Sequence, residues 1–206
     1  MSPCTAHSLN AAMSPLKARA AKPATVWMPL PDSEPAEALV CEWLAAEYGV
    51  PADAVRFERD PFGRPVLQAP FAHRDCNWSH SGGYLLASWV EHARVGVDIE
   101  LIQPRRRVDE IAARYFTPAE QRWLGGLIGD DKIHAFHRLW CCKEAVLKAH
   151  GQGLSFGLDR LEILPDAQDR MQLQALDPAL GSLQQWQLEE WTPAPGYLAA
   201  LAVKRR

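Results

Sequence analysis

The chain of 206 residues lacks any stretch approaching the roughly 18 consecutive apolar residues that a membrane span requires, because charges interrupt its longer apolar runs. It also lacks an excess of positive charge. Its 22 Lys and Arg against 25 Asp and Glu leave a formal net charge of -3, which gives no general attraction for nucleic acid or an anionic membrane. Cysteine is sparse: Cys4, Cys41, Cys76, Cys141 and Cys142 show no CxxC spacing and have no histidines at finger-like distances, so neither a zinc site nor a disulfide framework is expected. No repeat period or low-complexity tract stands out. Residues 1–26 carry Lys17, Arg19 and Lys22 among Ala, Ser and Pro without the contiguous apolar stretch of a secretory signal. They read as a flexible N-terminal arm, and with unpaired cysteines the protein is expected in the cytoplasm.

What is present is 48% hydrophobic content, enough to bury a substantial core. Leu39, Trp43, Leu44 and Tyr48 fall at near-helical spacing and Gly49 stands at a C-cap, predicting a helix over 34–48. Strand-like runs follow at 55–58, 76–79, 84–90 and 95–100, separated by Pro-Phe-Gly, Ser-Gly-Gly and Glu-His-Ala turn material. Helical segments are expected over 108–116, 118–127 and 131–150, then strands over 158–164, 171–176, 183–191 and 197–203. Helices followed by strands mean an α+β fold, divided here into an N-terminal half (27–100) and a C-terminal half (101–206).

In Val95-Gly96-Val97-Asp98-Ile99-Glu100 the period of two places both carboxylates on one strand face, with Cα atoms about 6.5–7 Å apart. Such a pair can share one hard cation and leave its other positions to water and phosphate oxygens, although a solvent-facing acidic pair has the same spacing. Residues 136–148 read as an amphipathic helix whose apolar stripe holds Phe136, Leu139, Trp140 and Leu147. Lys143 falls inside that stripe, and a charge there demands a partner. Glu144 and Lys148 are spaced i to i+4, as a surface ion pair would be. Thr117-Pro118-Ala119-Glu120 is a capping box with proline at the first helical position. The turn Asn77-Trp78-Ser79-His80-Ser81-Gly82-Gly83 either holds a phosphate or reverses the chain.

Phe62-Gly63-Arg64-Pro65, Trp78-Ser79-His80-Ser81-Gly82, the 96–100 strand and the 140–148 helix occur in that order, joined by 114–120 and Gly151-Gln152-Gly153-Leu154. In this combination the chain resembles the phosphopantetheinyl transferase superfamily, of the monomeric surfactin-synthetase-activating type, over about residues 63–163. The resemblance implies two similar α+β halves about a pseudo-twofold axis, with coenzyme A in the cleft between them. It implies transfer of 4'-phosphopantetheine from coenzyme A to a serine of an apo acyl or peptidyl carrier protein, releasing 3',5'-ADP. Asp98, Glu100 and Glu144 match metal-binding acidic residues, for magnesium or manganese. Lys148 and Lys143 match lysines serving the pyrophosphate, and Ser79 and His80 match a coenzyme A contact. Arg64 stands where the family often has lysine, so a phosphate role is expected with altered fork geometry. Glu120 is nominated as the base for the carrier serine, against its role in the capping box, with a metal-bound water or Glu144 as the alternatives.

Two departures are visible. Stretch 31–37 is acidic where related proteins place positive charge for the 3'-phosphate of coenzyme A, and the N-terminal half is short for the type. Arg105, Arg106 and Arg107 form a charge cluster suited to steering an acidic carrier. Two rival readings share the acidic motif: a metal-dependent nuclease, disfavoured by net negative charge, and a non-catalytic carrier-binding or coenzyme A-binding module.

Overall fold

The computed structural model describes residues 22–104 and 107–205. Residues 1–21 of the expected arm, and Arg105 and Arg106 of the charge cluster, lie outside them. The chain runs through β1 (Ala24–Pro29), α1 (Ala36–Tyr48), β2 (Phe57–Arg59), β3 (Pro65–Leu67), β4 (Arg74–Ser81), β5 (Tyr84–Glu91), β6 (Ala93–Leu101), α2 (Val108–Tyr115), α3 (Pro118–Gly125), α4 (Gly129–His150), β7 (Leu161–Pro165), β8 (Met171–Leu176), β9 (Trp186–Trp191) and β10 (Tyr197–Arg205).

The end of the expected arm, residues 24–26, is ordered as part of β1. Its flanking prolines disguise the strand, yet they are tolerated because β1 is an edge, paired among the described residues with β5 alone. The first sheet has the order β1-β5-β4 and the second β6-β10-β9, all antiparallel. Each half thus repeats one plan, an edge strand, a helical layer, a small hairpin (β2-β3 or β7-β8) and a final hairpin whose last strand returns to the centre. Because β6 pairs with β10, the second half begins at Ala93, and the division expected at 100/101 cuts behind its opening strand.

Local chemistry fixes the turns that matter. Gly82 and Gly83 both have positive φ, 56° and 81°, and close a two-residue hairpin between β4 and β5. The Tyr197 hydroxyl donates to the Gly82 carbonyl at 2.6 Å, tying that hairpin to the other half. Asp60 accepts from the amides of Phe62 and Arg64, both at 2.9 Å, and so shapes the turn that presents Arg64. The capping box at α3 is formed as the sequence predicts: the Thr117 side chain accepts from the Glu120 amide, and the Glu120 carboxylate accepts from the Thr117 amide at 2.8 Å.

Each half has its own core, α1 against β4 and β5, and α4 against β10 and the C-terminal hairpin. A third cluster joins them, with Leu86 and Val90 packed on Val95, Val97 and Ile99. The opposite face of β6 carries Gly96, Asp98 and Glu100 toward α4. A Cβ at Gly96 would stand 2.1 Å from the Ala145 carbonyl oxygen and 2.4 Å from the Ala149 amide nitrogen. Helix and strand backbones therefore touch there, and only glycine permits it.

Gly96→Ala is expected to destabilise the fold by about 1–3 kcal/mol or more, since backbone must move to admit the methyl group. Gly125→Ala, with nothing within 4 Å of the added atom, should cost nothing. Urea denaturation of the two variants checks the contrast.

Candidate functional site

The contact at Gly96 brings two residues of α4, Glu144 and Lys148, beside the acidic face of β6. The Lys148 ammonium donates to Asp98 Oδ1 at 2.6 Å and to Ser79 Oγ at 2.8 Å. The Ser79 hydroxyl donates to the same Asp98 oxygen at 2.8 Å. The triangle draws on both halves, because Ser79 lies on β4 while Asp98 and Lys148 belong to β6 and α4. Glu144 is nearly buried, and its carboxyl is pushed up to about 7 by that burial and by the negative charges of Asp98 and Glu100, with Lys148 opposing the rise.

Two hollows are present, of which the smaller reaches Lys148. One of about 180 Å³ lies on the seam, lined by Gly63, Arg64, Asn77, Lys148, Gly151 and Gly153. A larger one of about 570 Å³ opens beside Arg114, Tyr115, Trp140, Leu154 and Leu158.

The remaining expected site residues are placed elsewhere. Lys143 is fully buried; its ammonium donates to the carbonyls of Leu158 and Leu161 at 2.7 and 2.5 Å and pairs with Glu120 Oε1 at 2.8 Å. Glu120 is the partner that a lysine inside an apolar stripe requires, and with the two carbonyls it leaves Lys143 no donor for a pyrophosphate. Glu120 is equally buried and also accepts from the Ile163 amide at 2.7 Å, so its carboxylate cannot reach an incoming serine. Burial drives Glu120 up and Lys143 down in pKa, and their mutual attraction opposes both shifts. Arg64 is turned inward. Its guanidinium donates to the Lys148 carbonyl, to Asp75 Oδ2 at 2.5 Å and to the Val95 carbonyl at 2.8 Å, which replaces the expected phosphate contact by a clamp between backbones. His80 is exposed, and strand alternation turns it away from Asp98. Sequence reasoning passed over Asp75 and took Asn77 only as the start of a turn, whereas their carboxylate and amide oxygens hold β6; polar residues at alternate strand positions look like a solvated face.

Among the described residues no three His, Cys, Asp or Glu side chains form a ready-made cation cage. The donor set nevertheless suits a hard divalent ion. Asp98 Oδ2 is buried without a hydrogen-bond partner among the described residues, and the repulsion that raises Glu144 is what a cation would relieve.

Removing one partner of a buried ion pair costs roughly 3 to 5 kcal/mol. Glu120→Ala and Lys143→Ala are each expected to lower unfolding stability by about that amount, and the double variant Glu120→Leu/Lys143→Met to recover much of it. Urea denaturation of the three proteins provides the check.

The profile of the 4'-phosphopantetheinyl transferase superfamily matches residues 94–202, from β6 through β10. The chain is 33% identical over 162 residues to the 4'-phosphopantetheinyl transferase HetI of a Nostoc species, an overlap covering 78% of this chain and 65% of HetI. It is 31% identical over 128 residues to the 4'-phosphopantetheinyl transferase Sfp of Bacillus subtilis, covering 62% of this chain and 55% of Sfp. The matches therefore span between about half and two thirds of those relatives. A solved holo-(acyl-carrier-protein) synthase from Bacillus anthracis is similar with a TM-score of 0.44 and 20% identity, over 55% of this chain and 96% of that one. With the profile spanning more than half of the sequence, including Asp98, Glu144 and Lys148, the chain belongs to the 4'-phosphopantetheinyl transferase superfamily.

Proposed function

We propose that the protein transfers 4'-phosphopantetheine from coenzyme A to a serine hydroxyl of an apo acyl or peptidyl carrier protein, releasing 3',5'-ADP. The observation that carries this reading is the Lys148 ammonium held between Asp98 and Ser79 on the seam of the two halves, in a chain of this superfamily. The serine oxygen forms a bond to the phosphorus on the pantetheine side of the pyrophosphate, and the bond from that phosphorus to the bridging oxygen breaks. No nucleophile is needed from this chain.

Phosphoryl transfer depends mainly on positioning and countercharge. Lys148 binds the pyrophosphate oxygens, and Ser79 holds its ammonium in place. With Glu120 withdrawn by burial, Glu144 takes the serine proton. Asp98, Glu100 and Glu144 would hold magnesium or manganese, which adds countercharge at the pyrophosphate. Among the described residues no helix is long and apolar enough to cross a membrane; the four cysteines are free, which fits a reducing, cytoplasmic setting.

Incubation with coenzyme A, magnesium and an apo carrier protein is expected to add one phosphopantetheine to the carrier, read by mass spectrometry. Asp98→Ala, Glu144→Gln and Lys148→Ala should each lower kcat/KM by about 10²–10³, the loss expected for one preorganised electrostatic contact. The losses should not multiply in double variants. An unmodified carrier under all conditions, or cleavage of DNA by the wild-type protein, would overturn the reading. Because stretch 31–37 is acidic, dephospho-coenzyme A is expected to serve within about tenfold of coenzyme A, a gap near 1.4 kcal/mol, in parallel steady-state assays.

A further inference from the structure

Four residues at alternate positions of β4 turn one polar face toward β6. Asp75 Oδ2 accepts from the Val95 amide at 2.7 Å, Asn77 Oδ1 from the Val97 amide at 3.0 Å, and Ser81 Oγ from the Leu101 amide at 3.1 Å, while Ser79 bonds the Asp98 side chain. Strands β4 and β6 belong to different sheets, and no backbone hydrogen bond links them among the described residues. Three outward amides of an edge strand in one half are thus satisfied by side chains of the other. Arg64 closes one end of this row. Its guanidinium joins Asp75 to two carbonyls, that of Val95 on β6 and that of Lys148 on α4.

We infer that this side-chain ladder sets the geometry of the site, and that Asn77 and Arg64 are positioning residues fixing Asp98 and Lys148 relative to each other. The inference rests on the transferase reading above. A planar, rigid fork spans the two backbones that carry the interacting groups, so Arg64 gauges the gap between strand and helix. Both of its terminal nitrogens are engaged with protein groups, and the side chain is buried. Asn77 has no charge with which to bind a phosphate, and its oxygen is spent on the Val97 amide, one residue from Asp98. A small misplacement of catalytic groups costs on the order of a hundredfold in rate, without a matching loss in substrate affinity.

The experiment combines steady-state kinetics with amide exchange on Asn77→Ala, Arg64→Lys and Arg64→Ala, under conditions where each variant is fully folded. For Asn77→Ala, kcat is expected to fall by about ten- to a hundredfold, with KM for coenzyme A within about threefold and unchanged coenzyme A stoichiometry. The Val97 amide should exchange faster. Arg64→Lys keeps the charge but loses the fork, so it should fail to rescue and behave as Arg64→Ala does. Rescue by lysine with a rise in KM alone for Arg64→Ala would show a phosphate contact and overturn the inference. Unchanged kcat in Asn77→Ala, or full protection of its Val97 amide, would also overturn it. Failure of the transferase reading looks different: the wild-type protein itself would leave every apo carrier unmodified while Val97 exchange still responds to Asn77→Ala.

Discussion

The site depends on one contact between backbones, the crossing of α4 over β6 at Gly96. A side chain there would hold the helix away from the strand. Without one, the strand period of two and the helical spacing of four act together: Asp98 and Glu100 continue the face that Gly96 begins, while Glu144 and Lys148 flank Ala145 and Ala149, the residues in contact. The Lys148 bond to Asp98 at 2.6 Å follows from that closeness. Position, more than residue identity, turns a commonplace acidic alternation into a convergent cluster.

Two lysines of the same helix meet opposite fates, and the contrast separates structural from functional charge. Lys143 is enclosed with Glu120 and two carbonyls, and every strong acceptor around it is used. Such a unit holds α3 and β7 against α4 and has nothing to offer a ligand. Lys148 sits at the seam, half-buried, with an acidic surplus around it. One Asp98 oxygen has no partner among the described residues, and Glu144 is pushed up to about 7 first by burial and then by its acidic neighbours. An under-compensated buried charge is costly in a static fold, and its persistence beside a cleft is the mark of a site completed by something it binds.

The parts of this arrangement legible in sequence were those with a period or a local signature. Alternation over 95–100 gave β6 and the shared face of its carboxylates, the apolar stripe gave α4, and Thr117-Pro118-Ala119-Glu120 gave the start of α3. The stripe also showed that Lys143 needs a partner, and the capping box supplied that partner in Glu120, but nothing local connects the two. Their meeting is a matter of tertiary packing across 23 positions, the difference between the two residue numbers. Arg64 is expected as a phosphate ligand because the resemblance sets it where the family often has lysine; its inward turn depends on Asp75, Val95 and Lys148, at least 11 positions away in sequence. Strand β1 stayed hidden because Pro23 and Pro29 break a strand pattern unless the strand is an edge, which only pairing reveals.

The side-chain seam also explains why a cleft exists at all. Had β4 and β6 paired through their backbones, they would stand about 4.8 Å apart and fuse the two three-stranded sheets into one continuous sheet. Edge strands invite such pairing, and polar side chains of β4 prevent it by occupying the β6 amides themselves. Side chains hold the strands farther apart than a ladder would, while the apolar cluster of Leu86, Val90, Val95, Val97 and Ile99 keeps the halves from separating. The hollow lined by Arg64, Asn77 and Lys148 opens along this spaced seam, so the residues that keep the sheets apart are also those that line the space between them.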